Sequence, residues 1–175
     1  MTTLKKFEIE PFGPYRFIGK SVYARAGSGN SGMIFGGLWG NSKGIMDALD
    51  AMGEYATGEV HDVALLTWNK YDDKTQLLGY TVGRFMKEGA PVPDGLDYFD
   101  IPATFVAKGW VRGEFNDMID NQERLTSEAI GRQAKYIPNQ DSTSFMAEVY
   151  TKDTVPEDGV TSTMGYYIAC IEKKD

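Results

Sequence analysis

The sequence predicts an α+β fold built from a duplicated β-α-β-β unit, on three observations. The stretch V-A-L-L-T-W-N-K (Val63–Lys70) is answered by F-M-A-E-V-Y-T-K (Phe145–Lys152). L-L-G-Y-T-V-G (Leu77–Gly83) is answered by T-M-G-Y-Y-I-A (Thr163–Ala169), and F-I-G-K-S (Phe17–Ser21) by F-V-A-K-G (Phe105–Gly109). The echoes keep their order in both halves, as an internal repeat requires. The expected organisation is one domain over residues 1–175: a first repeat over about 1–86, a join over about 87–97 and a second repeat over about 98–175. The two repeats are expected to be related by a pseudo-twofold axis, with a groove between them.

Each element follows from local pattern. Lys6 to Ala26 is rich in Phe, Tyr, Ile and Val and is interrupted by the turn F-G-P-Y, so it reads as strand. After the loop G-S-G-N-S-G (Gly27–Gly32), apolar residues Ile34, Leu38, Ile45, Leu49 and Met52 recur at helical spacing. Gly36, Gly37, Gly40 and Gly44 weaken the first turns of that helix by about 1 kcal/mol each relative to Ala. Strands near Asp62–Lys70 and Gln76–Phe85 flank the charged turn Tyr71–Lys74. The Pro/Gly-rich Met86–Leu96 is the join. The second half then repeats the order. A strand over Tyr98–Arg112 leads to a helix with Phe115, Met118, Ile119, Leu125, Ala129 and Ile130 on its apolar side, stopping at Gly131. Strands near Ser144–Lys152 and Thr163–Lys173 enclose an acidic loop, Thr154–Val160.

Composition narrows the function classes. At 175 residues and 42% apolar content the chain supports a real core. A net charge of −7 with no Lys/Arg run argues against a protein that tracks nucleic-acid backbone. No apolar stretch approaches the roughly 20 residues of a membrane span, and the N-terminal residues lack the apolar segment of a signal peptide, so a cytoplasmic location is expected. Cys170, the one cysteine, lies in Y-Y-I-A-C-I and reads as an inert core thiol. His61 is the one histidine, so neither a zinc site nor a histidine-based triad is expected. Gly27–Gly32 lacks the Gly-Lys-Ser/Thr ending of a phosphate loop, and no cofactor is expected.

What remains is Glu148. Strand alternation puts Met146, Glu148 and Tyr150 on one face, and Phe145, Ala147 and Val149 on the other. Where the first half has Leu66, the second has this carboxylate, and an unpaired buried charge is costly. The repeat adds Ala64, Leu66 and Trp68 as matching positions, with Tyr80 and Tyr166 on neighbouring strands and Trp39 on the first helix. Aromatic walls around one carboxylate suit an organic cation. Alternation alone favours a plainer reading, in which Glu148 faces solvent and Trp39, Trp68 and Trp110 are core.

The order I-P (Ile101-Pro102), helix, F-M-A-E-V-Y resembles the GyrI-like small-molecule-binding domain, which is also the effector-binding part of AraC- and MerR-type multidrug-sensing regulators. G-P-Y at Gly13–Tyr15, Leu38-Trp39 and the Y-x-V-G of Tyr80–Gly83 match as well, and the resemblance spans nearly the whole chain. It implies a duplicated β-α-β-β fold and a groove for bulky hydrophobic, often cationic, ligands. By motif the acidic pocket residue falls on Glu148, followed by Tyr150, with Trp39 and Tyr80 at aromatic positions. Trp68, Trp110, Met146 and Tyr166 are added from repeat geometry. The last strand departs from the family in lacking a closing proline. With no helix-turn-helix segment, a stand-alone ligand module that does not contact nucleic acid directly is expected. Three functions stay open: binding or sequestration of a hydrophobic, cationic small molecule; hydrolysis of strained cyclopropane-type genotoxins with Glu148 as general base; and interaction with a protein partner such as gyrase. In the first, desolvation is expected to raise the Glu148 pKa in the empty pocket.

Overall fold

The computed structural model describes residues 1–25, 27–58, 61–151, 154 and 160–174. The strands in chain order are β1 (Thr3–Phe12), β2 (Tyr15–Arg25), β3 (Asp62–Thr67), β4 (Leu77–Lys87), β5 (Asp97–Ile101), β6 (Thr104–Glu114), β7 (Tyr136–Pro138), β8 (Phe145–Tyr150) and β9 (Thr161–Glu172). The helices are α1 (Ser31–Gly40), α2 (Lys43–Asp50) and α3 (Phe115–Gly131), with a 3-10 turn at Gly53–Tyr55. The fold is mixed α+β, and strands pair antiparallel within each unit among the described residues. Two compact units result: Met1–Phe12 with Ala103–Asp175, and Gly13–Pro102.

In the first unit the strands run β1-β6-β9-β8, with β7 also on β9. The helix α3 covers one face of this sheet. Glu114 starts it: its carboxylate accepts from the backbone N–H groups of Asn116 and Asp117, which have no partner within the helix. Its buried residues are Met118, Gln122, Thr126, Ala129 and Ile130. Two of these are polar, and Phe115, expected on the apolar side, is 40% exposed. Thr126 is buried because β6 offers Gly109 beneath it. A Cβ on Gly109 would lie 2.2 Å from the Thr126 hydroxyl oxygen, so only glycine lets the helix come this close. The Thr126 hydroxyl donates back to the Gln122 carbonyl at 2.9 Å.

In the second unit the order is β5-β2-β4-β3. The single helix expected over Ile34–Met52 is two helices, broken at Asn41–Ser42. There the Asn41 amide donates to the Gly37 carbonyl at 2.9 Å and the Ser42 hydroxyl to the Trp39 carbonyl at 2.7 Å, ending α1. α2 buries Ile45, Met46 and Leu49, whereas α1, diluted by glycine, buries nothing fully. The strand expected from Tyr98 to Arg112 is split at Pro102 into β5 and β6, since proline cannot donate to a ladder. Lys152, at the end of the first echo, and residues 155–159 of the acidic loop lie outside the described residues.

Candidate functional site

β8 alternates as its sequence predicts. Phe145, Ala147 and Val149 are buried on one face, while Met146, Glu148 and Tyr150 are half-buried on the other. The second face looks toward α3. Met146 packs with Ala107, Ile130, Tyr166 and Ile168, and Tyr150 packs with Val111, Met118 and Met164. Glu148 therefore stands between two apolar clusters of the same unit.

Two side chains donate to its carboxylate. The Gln122 side-chain N–H donates to one carboxylate oxygen at 2.9 Å, and the Tyr150 hydroxyl donates to the other at 3.0 Å. Both bonds favour the ionised carboxylate. Gln122 is 3% exposed, and its own carbonyl oxygen is buried with no hydrogen-bond partner among the described residues. A buried acceptor therefore lies beside the carboxylate. Tyr166, register partner of Glu148 on β9, directs its hydroxyl to the Met146 sulfur at 3.1 Å.

The second unit carries an aromatic cluster of its own. The Trp39 indole N–H donates to the Tyr80 hydroxyl at 2.8 Å, and Phe35 stacks on the Tyr80 ring with centroids 4.2 Å apart and planes 9° from parallel. Tyr80 is buried on β4, while Phe35 and Trp39 are half-buried on α1. Trp68 follows β3 and is 38% exposed.

Of the eight residues singled out from the sequence, Glu148, Tyr150, Met146 and Tyr166 share one sheet face. Trp110 sits on the opposite face, edge-on to Tyr167 at 6.0 Å. That face already has a cation: the Lys108 ammonium lies 5.1 Å from the Tyr167 ring and pairs with Glu10. Trp39 and Tyr80 meet each other in the second unit. Two residues escaped sequence reasoning. Gln122 sits seven positions before Ala129 on the buried stripe of α3, and a polar residue on an apolar helix face is the signal that marks it. Phe35 lies one turn before Trp39 on α1, a spacing that stacks two rings over one target. Among the described residues no three His, Cys, Asp or Glu side chains gather to hold a metal ion, and no helix is long and apolar enough to cross a membrane.

No family model and no curated protein sequence matches the chain. Solved structures do match its fold. An integron cassette protein from the mobile metagenome of Vibrio cholerae is 14% identical with a TM-score of 0.58, covering 97% of this chain and 99% of that one. The protein SAV2435, bound to tetraphenylphosphonium, is 12% identical with a TM-score of 0.64, covering 97% and 94%. A Staphylococcus aureus MU50 protein assigned to transcription regulation is 10% identical with a TM-score of 0.62, covering 97% and 99%. At these identities the likeness is one of fold.

Proposed function

We propose that the chain is a binding protein for hydrophobic organic cations, with Glu148 as the counter-charge, and that its two units descend from one duplicated β-α-β-β element. The observation that carries the binding reading is the Glu148 carboxylate, held by Gln122 and Tyr150 between two apolar clusters. A carboxylate fixed by donors in apolar surroundings is preorganised for a cation whose body is greasy. The unpartnered Gln122 oxygen adds a second acceptor for a ligand N–H. Supporting this, a protein of the same fold is bound to tetraphenylphosphonium, a lipophilic cation. The matching strand orders β5-β2-β4-β3 and β1-β6-β9-β8 support the duplication. The Phe35–Tyr80–Trp39 cluster is a further aromatic surface, belonging to the second unit, on which a ligand ring stacks.

The test is a titration of intrinsic tryptophan fluorescence with a rhodamine or phosphonium dye, on wild type and Glu148→Gln. Saturable quenching in the wild type is expected, with affinity near micromolar, about −8 kcal/mol. In the variant it weakens about tenfold or more, a loss of about 1.4 kcal/mol. Equal affinity in a folded Glu148→Gln protein removes the carboxylate from the reading.

A further inference from the structure

A pocket in the second unit, on different residues from the Glu148 site, opens where the end of α2, the 3-10 turn and β4 meet. Its cavity volume is about 130 Å³. Its floor is apolar: Leu49 and Met86 are each 2% exposed. Its rim is polar and carries Asp50, His61 and Arg84. The Arg84 guanidinium is already committed. Its Nε and one terminal nitrogen both reach Asp62 at 2.9 Å, and the other terminal nitrogen pairs with Asp50. Two carboxylates against one guanidinium leave a net negative rim. An anionic ligand would find the fork occupied and meet two like charges. The Asp50 side chain is 62% exposed, so its carboxylate keeps room for another donor. The C-terminal end of α2 lies at the same place, and its dipole also favours positive charge.

We propose that this pocket is a second ligand site, taking a small amine with one aromatic ring or short alkyl chain. The apolar part rests on Leu49, Ala56 and Met86, and the ammonium is received by Asp50. The thioether of Met86 gives the floor the adaptability to accept differently shaped apolar groups.

His61 is the sole histidine of the chain, so a single imidazole signal in a proton–carbon correlation spectrum reports on the rim, and the Met86 methyl signal reports on the floor. The probe is phenethylamine, compared with 2-phenylethanol and phenylacetate, which share the ring but not the charge. Phenethylamine is expected to shift both signals saturably, with the alcohol and the acid about tenfold weaker or more. Asp50→Asn should weaken the amine about fivefold, about 1 kcal/mol. Gly53→Leu, at a lining position where an added Cβ meets no heavy atom within 4 Å, should block it. Binding should survive Glu148→Gln, which separates this site from the other. Absence of saturable shifts in the wild type at millimolar amine overturns the proposal, as does phenylacetate binding at least as tightly as the amine. The wild-type comparison decides even where a variant fails to fold.

Discussion

Replacing Gly109 by Ala tests how the fold places Gln122 against Glu148. The new Cβ would stand 2.2 Å from the Thr126 hydroxyl oxygen and 3.0 Å from both its Cβ and Cγ2, where ordinary contact is 3.4–4 Å. Rotating the threonine exchanges one close atom for another, so α3 must lift by about an ångström. Overpacking of this kind costs roughly 1–3 kcal/mol. In a chain of this size each kcal/mol lowers Tm by about 2–4 °C, so a drop of roughly 2–12 °C is expected by calorimetry. The same lift stretches the 2.9 Å bond from Gln122 to Glu148 beyond hydrogen-bonding range, so affinity for a lipophilic cation should fall along with stability. Thr126→Ala removes the two most mobile offending atoms and leaves a single 3.0 Å contact, so the double variant should recover most of the lost Tm. A Gly109→Ala protein that melts with the wild type, or a double variant no better than the single, refutes the close-approach reasoning.

Two further outcomes follow from ionisable groups. Cys170 is fully buried and its thiol is pushed up to about 11 by desolvation, so iodoacetamide should label it only at the rate the protein opens, and rapid labelling of native protein would contradict that burial. Among the described residues, four carboxylates sit below their ordinary value: Asp72 through the Thr75 backbone, Asp100 through the Arg16 guanidinium, Asp117 through the Thr2 hydroxyl and Asp141 through Thr143. Because their folded pKa values lie below the unfolded ones, the unfolded chain binds more protons in the window between the two. Their contribution is therefore complete above about pH 4 and is lost as pH falls through the folded values. The urea midpoint should drop below about pH 4, and a midpoint unchanged down to pH 3 would contradict this.

The arrangement of β8 in the candidate site was legible because strand alternation is a strict geometric rule. The six residues of β8 place Glu148 with Met146 and Tyr150 without ambiguity, and the burial of their neighbours agrees. What the rule lacks is the identity of whatever covers the face. Gln122 and Thr126 read as breaks in the apolar stripe of α3, and only the bare backbone at Gly109 explains why they are buried. The α1–α2 break was masked for a related reason: the apolar spacing runs on through Asn41–Ser42, and the spacing does not register the side-chain bonds that end α1 there. β1 was legible as a strand, but its pairing was not. Its register with β6, from Thr3 with Arg112 to Phe12 with Thr104, joins residues a hundred positions apart on a short turn-bounded segment that could equally have formed a hairpin with β2. Trp110 shows the limit of matching by echo, because position along a strand sets its face, and the Trp110 face already carries Lys108.

The central claim is that a lipophilic cation is neutralised by Glu148. Tetraphenylarsonium has the shape and charge of tetraphenylphosphonium and carries an anomalous scatterer at its centre, so crystals soaked with it locate the cation without bias from the protein. An arsenic peak within about 6 Å of the Glu148 carboxylate, absent from Glu148→Gln crystals grown the same way, is the predicted result. A peak that persists in the variant, or one remote from Glu148 in the wild type, would contradict the account.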